Sequence, residues 1–122
     1  MRVAAIWREL VAQHDALRLM MEDCERRLSQ DADGAAQILA QLRTAFVVHD
    51  RYETESVGVL LMTNAHASIL DIGERLAAHL ATQRAMRRLV TTLSVVTAPS
   101  ALVTLRAHLD HEELTLYPPR PS

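Results

Sequence analysis

The chain is poor in the residues that punctuate or cross-link small proteins. Its 122 residues include one cysteine, three glycines, four prolines and no lysine, since all 13 basic residues are arginine. Aromatic residues make up 3% (Trp7, Phe46, Tyr52 and Tyr117), so the core has to be aliphatic and alanine-rich. A lone Cys24 excludes an internal disulfide and suits a reducing cytoplasm. Three of the prolines fall in the last five residues, which leaves the body of the chain without the turn residues of a β-protein. No stretch reaches the roughly 20 uncharged apolar residues needed to cross a bilayer. The longest candidate, 89–105, is broken by threonines, serines and Pro99. The opening MRVAAIWREL is interrupted by Arg8 and Glu9 and lacks the apolar core of a signal peptide. A net charge of −2 and a pI near 6.3 remove the broad electrostatic reason to expect nucleic acid. These absences predict a soluble cytoplasmic protein with neither a nucleic-acid nor a membrane partner.

What is present is a globular balance, 49% hydrophobic and 23% charged. The length suits one domain, able to hide roughly two thirds of its unfolded surface. Apolar residues recur at three-and-four spacing, the sign of amphipathic helices. Segment one spans about Val3 to Leu28, with Val3, Ile6, Leu10, Leu17, Met21, Cys24 and Leu28 in phase. Ser29, Asp31, Asp33 and Gly34 make a loop in which Asp31 or Asp33 caps segment two. That segment runs from about Ala35 to the high fifties on Ile38, Leu42, Ala45, Phe46 and Val57, ending near Gly58 and Met62, with Thr63 or Asn64 as the next cap. Segment three carries Ile69, Leu70, Gly73, Leu76 and Leu80 and either continues to Val96 or breaks near Thr82. Pro99 opens segment four in its first turn, with Thr97 near the capping position and Leu102, Leu105, Leu109 and Leu116 along one side. Short connections make neighbours antiparallel, so the expected fold is all-α, an up-down-up-down four-helix bundle over 1–117 with a proline-rich tail at 118–122.

Residues four apart share a helix face. Segment two carries His49 and Glu53, and segment four repeats the pair as His108 and Glu112. Both pairs continue the apolar row. His14 lies in the row of Leu17, Met21, Cys24 and Leu28, and His66 in the row of Leu70, Gly73, Leu76 and Leu80. Each helix thus points one histidine inward, and two add a carboxylate. One inward histidine is more often a satisfied core residue than a ligand, and one H-x-x-x-E pair is more often a surface ion pair. Six such groups together are different: buried carboxylates are costly unless paired, and a pair of metal ions satisfies imidazoles and bridging carboxylates at once. His14 and His49 also stand at one height, each about 15 residues from the first loop. Other metal patterns fail. No E-x-x-H occurs, His111-Glu112 is followed by Thr115 rather than by the second histidine of a zinc protease, and one cysteine is too few for structural zinc.

Histidine on the first helix, H-x-x-x-E on the second, histidine on the third and H-x-x-x-E-E-x-x-L-Y-P on the fourth together resemble the hemerythrin-like (HHE cation-binding) domains. The nearest match is HLDHEELTLYP at 108–118, and the resemblance spans essentially the whole chain. It implies an oxo- or hydroxo-bridged pair of non-haem irons. His14 and His49 would serve one iron, His66 and His108 the other, and Glu53 and Glu112 would bridge. Oxygen-carrying members have a second histidine one turn along the third helix, where this chain has Leu70. That departure leaves one iron an open position and argues against simple reversible oxygen carriage; Asp50 offers a compensating carboxylate. His79, on a different face from His66, is its competitor as the third-helix ligand. His111 reads as a surface residue or a partner to a ligand, Tyr117 as a seal at the end of the bundle, and Cys24, Met20 and Met21 as packing.

The resemblance implies a protein that binds or reacts with a small oxidant: dioxygen, peroxide or nitric oxide. It permits peroxide decomposition, although no catalytic residue is assigned. The alternative is an iron- or oxygen-responsive regulatory module that acts on a protein partner through Arg84, Arg87 and Arg88 or segment 85–98. A third reading is a metal-free helical interaction domain. The expected oligomeric state is monomer or homodimer.

Overall fold

The computed structural model describes residues 2–62 and 69–115, with side chains over 3–59 and 72–115. His66, Thr63, Asn64, Tyr117 and the 118–122 tail lie outside the described residues, as does the side chain of Leu70. Among the described residues the fold has four helices: α1 (Arg2–Leu28), α2 (Ala32–Met62), α3 (Ile69–Thr91) and α4 (Ala98–Thr115). Among the described residues there is no strand.

Local chemistry sets the helix ends. Asp31 precedes α2, and its Oδ1 accepts the Gly34 backbone N–H at 3.0 Å, which satisfies one of the donors left free at a helix start. The helix therefore begins three residues earlier than the apolar spacing indicates. Before α4, Ser94 and Thr97 exchange bonds: the Ser94 N–H donates to Thr97 Oγ1 at 3.0 Å, and the Thr97 N–H donates to Ser94 Oγ at 3.3 Å. Pro99 then sits second in α4, where its missing N–H costs nothing. Helix α3 does not break at Thr82, whose hydroxyl bonds back to the Ala78 carbonyl at 3.0 Å, and it stops at Thr91 rather than reaching Val96.

Partners rise along one helix as they fall along the next. Arg18 meets Asp110 and Glu25 meets Arg106 between α1 and α4, while Arg43 reaches the Val90 carbonyl and Glu53 meets His79 between α2 and α3. The main apolar core holds Leu17, Met21, Leu42, Phe46, Leu102 and Leu105. A smaller cluster gathers Val3, Ile6, Trp7, Val11 and Tyr52 around Leu10. Along α1, His14 stands between Leu10 of the small cluster and Leu17 of the large one. A polar layer therefore lies between two apolar ones.

Candidate metal centre

The inward rows carry the polar layer at helical spacing. Buried positions run Leu10, His14, Leu17 and Met21 on α1, and Leu42, Phe46, His49, Glu53 and Val57 on α2. On α3 they are His79, Gln83 and Val90, and on α4 Leu102, Leu105, His108, Leu109 and Glu112. Six titratable side chains from four helices are thus removed from water, with exposures of 0% for His14, 1% for Glu53 and 2% for Glu112.

These side chains converge on one another. His14 Nε2 is 3.2 Å from His49 Nε2, 3.3 Å from Glu112 Oε1 and 3.8 Å from Glu53 Oε2. His49 Nε2 lies 3.2 Å from the same Glu53 oxygen. The other oxygen of Glu53, Oε1, faces His79 Nε2 at 3.1 Å, and Glu112 Oε2 faces His79 Nδ1 at 3.7 Å. His108 Nε2 approaches Glu112 Oε1 at 3.4 Å. Each carboxylate therefore offers one oxygen to the His14 and His49 side and the other to His79.

Outer contacts orient the two closest rings. His14 Nδ1 lies 2.8 Å from Glu113 Oε2, and His49 Nδ1 lies 2.8 Å from Gln13 Oε1. Both partners are oxygens that only accept, so each ring carries its proton on Nδ1 and donates it outward. In the neutral form this turns the Nε2 lone pair of both rings inward, the arrangement of a ligating histidine. Gln83 donates from Nε2 to Glu53 Oε1 at 3.4 Å and is itself held by the Thr54 hydroxyl at 3.0 Å.

The electrostatics follow from crowding. Burial disfavours a charged His14, yet Glu112, Glu53 and Glu113 outweigh it and hold its pKa up at about 9. Burial likewise opposes charge on His49 and His79, and the facing carboxylates raise both. Burial works against the Glu53 carboxylate, but its contacts with Glu112 and the histidines keep it far below its ordinary range. For Glu112, burial and the Glu53 carboxylate push upward, and His108, His14 and His49 prevail and lower it. Charge on His14 thus helps to balance the two carboxylates in the metal-free protein.

That balance is incomplete. Both oxygens of Glu112 and the Nε2 of His79 are buried beside groups 3.1–3.7 Å away, yet none of those contacts has hydrogen-bond geometry, and such atoms ordinarily make one. One ligand atom from each of His14, His49, Glu53 and Glu112 falls within 4.8 Å of the others, so these four residues could hold a metal ion. A cation would meet two imidazole nitrogens and two carboxylate oxygens, and would satisfy Glu112 as well. The donor set fits a metal. The chain matches no family model, no curated protein and no solved structure.

Five of the six residues singled out from the sequence, His14, His49, Glu53, His108 and Glu112, meet here. The sixth, His66, lies outside the described residues. Its competitor His79 occupies the α3 position of the cluster, because the inward face of α3 is the row of His79, Gln83 and Val90, while Leu76 and Leu80 are half-buried. The signal was available: His79 and His108 flank the α3–α4 turn at about a dozen residues on either side, as His14 and His49 flank the first loop. Asp50 does not join the cluster; its Oδ2 is taken by Arg87, with Nη2 at 2.6 Å and Nε at 3.1 Å. His111 is exposed, and Cys24 is packed in the main core, where burial pushes its thiol up. Gln13 and Glu113 were missed, since nothing in their spacing separates them from ordinary surface polar residues.

A cavity of about 180 Å³ opens between α3 and α4. Its buried lining is His79, His108 and Glu112, and His111 and Thr115 line its exposed part. Half-buried Arg75, which also lines it, donates to the Thr115 carbonyl.

Proposed function

We propose that this is a non-haem di-iron protein of the hemerythrin-like kind that binds or reacts with a small oxidant: dioxygen, peroxide or nitric oxide. The observation that carries the reading is the split of both buried carboxylates, each with one oxygen toward His14 and His49 and the other toward His79. His14 and His49 would hold one iron and His79 the second, Glu53 and Glu112 would serve both, and His108, whose Nε2 stands by Glu112 Oε1, would join His79 by the hemerythrin-like resemblance. The irons, when bound, supply the electrons that reduce the oxidant. The residues of the chain do the rest. The cavity beside His79 and His108 has room for a ligand of two to four atoms entering from solvent. Phe46, whose ring centroid lies 6.2 Å from that of His49 and 6.5 Å from that of His108, covers both rings with an apolar side chain. Glu113 and Gln13 hold the outer nitrogens of two ligand rings.

Anaerobic loading with ferrous iron followed by metal analysis tests this reading. Two irons per chain are expected, together with a near-ultraviolet band after oxidation. A stoichiometry of zero after loading would leave the protein a metal-free helical domain.

A regulatory role acting on a protein partner is the second reading. It is favoured by Arg87, which reaches Asp50 beside His49 and also lines, with Arg84 and Arg88, an open surface pocket. Mixing the reduced protein with peroxide separates the two. Sustained peroxide loss supports catalysis, and one spectral transition with a change of oligomeric state supports regulation.

A further inference from the structure

Outside the six converging side chains, the charged group of Glu113 touches the His14 ring from behind. We infer that Glu113, clamped by Arg18, is a positioning residue that sets the orientation and donor strength of His14, and hence how tightly the centre holds its metal. The inference rests on the metal-binding reading above.

Glu113 directly follows Glu112 on α4, so its side chain leaves the helix about 100° away from the cluster. It comes back to the site from outside, on the far edge of the His14 ring. Its Oε2 takes two contacts at once: His14 Nδ1 at 2.8 Å and Arg18 Nη1 at 2.6 Å. Arg18 stands one turn after His14 on α1, and its other terminal nitrogen, Nη2, donates to Asp110 Oδ1 at 2.7 Å. The guanidinium thus spans two carboxylates of α4 in its fixed fork geometry, a constraint that lysine would not reproduce. Glu113 is pinned from the solvent side and presents one oxygen to His14.

The identity of the acceptor matters as much as its place. His49 is backed by the neutral amide oxygen of Gln13, whereas His14 is backed by a carboxylate. A carboxylate draws the Nδ1 proton toward itself and makes the opposite nitrogen a stronger donor. His14 is also the ring closest to both Glu112 and His49. A rotation of that ring would disturb the whole set of four residues around the ion. The two rings are therefore unequal, and His14 is the one under charge control.

A merely mechanical role, zipping α1 to α4, makes a different prediction, and the molecule carries its own control. Arg106 and Glu25 form another ion pair between the same two helices, with Glu25 about three turns along α1 from His14. Full-length wild type, Glu113→Gln, Glu113→Ala and Glu25→Gln would be titrated with ferrous iron anaerobically against a chelator of known affinity. Thermal melts of the metal-free proteins would accompany each titration. Glu113→Ala is expected to weaken iron binding by roughly 10- to 100-fold, the usual cost of losing a group that orients a ligand. Glu113→Gln, which keeps an oxygen acceptor without the charge, should fall between Glu113→Ala and wild type. Glu25→Gln should bind as wild type does. Equal affinities for wild type and both Glu113 variants would overturn the inference and leave the metal reading intact. So would equal losses in Glu25→Gln and Glu113→Gln, which would mark the pair as a helix fastener. Absence of iron binding by wild type would remove both.

Discussion

At the residue scale, the cluster is unusual because every member answers to several others. His49 faces Glu53 and His14, and His108 faces Glu112, so removing either ring strips a nitrogen from the interior that no neighbour replaces. His49→Ala and His108→Ala are expected to abolish stoichiometric iron, measured by elemental analysis after anaerobic loading. His111→Ala should retain it, because that ring is exposed. On α3 the placement of His79 against Glu53 reverses the expectation from the apolar rows: His79→Ala should lose more iron than His66→Ala.

The same residues give the metal-free protein a pH signature. His14 has a pKa of about 9 in the folded chain against an ordinary 6.5. The folded state therefore holds more protons than the unfolded state between those values, and stability falls as pH rises through that window. The contribution is fully present below about pH 6.5 and is lost by the time His14 titrates. His49 and His79 shift in the same direction. Glu53 and Glu112 are lowered, so their contribution is present above the ordinary carboxylate range and lost only in stronger acid. Urea unfolding of metal-free protein should show its highest midpoint near pH 5–6, roughly between the ordinary carboxylate and imidazole values. A midpoint rising steadily from pH 6 to pH 9 would contradict the charge arrangement.

At the scale of elements, the helices were legible because their apolar spacing is long and regular, and their ends were legible where a cap carried the signal. Asp31 and Pro99 marked starts that the structure contains. The weak point was α3, where Leu76 and Leu80 sit half-buried on a flank and the inward face is held by His79 and Gln83. A polar inward face carries no hydrophobic period, so the spacing of apolar residues did not single out His79. His79 was consequently read as the lesser candidate.

The glycines test whether helix ends are understood. Gly58 and Gly73 lie inside α2 and α3, and a Cβ at either would meet nothing within 4 Å. Alanine there should stabilise the protein by roughly 0.5–1 kcal/mol each, through lower backbone entropy in the unfolded chain. At Gly34 a Cβ would come 2.1 Å from Asp31 Oδ2. Gly34→Ala has to expel the carboxylate that caps α2, at a cost of about 1 kcal/mol, so its propensity gain should vanish. Thermal melts of the three variants should show two rising and Gly34→Ala level or falling.

At the scale of the whole molecule, the polar layer is where all four helices meet, and apolar contacts bind them above and below it. His14 comes from α1, His49 and Glu53 from α2, His79 from α3, and His108 and Glu112 from α4. Ions held by these groups would link every helix, including pairs whose direct packing is slight. Because such a site is assembled only in the folded chain, binding adds directly to stability. At free iron about a hundredfold above the dissociation constant, the gain is roughly 2.7 kcal/mol, which for a domain of this length is roughly 10 °C in Tm. The rise should grow with the logarithm of free ferrous iron and disappear with excess chelator. Two variants separate this cross-link from the ordinary core. Leu102→Ala removes a fully buried side chain of the main core and should cost roughly 2–5 kcal/mol with or without metal. His49→Ala should remove the iron-dependent increment. If iron raises the Tm of His49→Ala as much as that of wild type, the ions bind elsewhere and the converging layer is not the centre that ties the helices together.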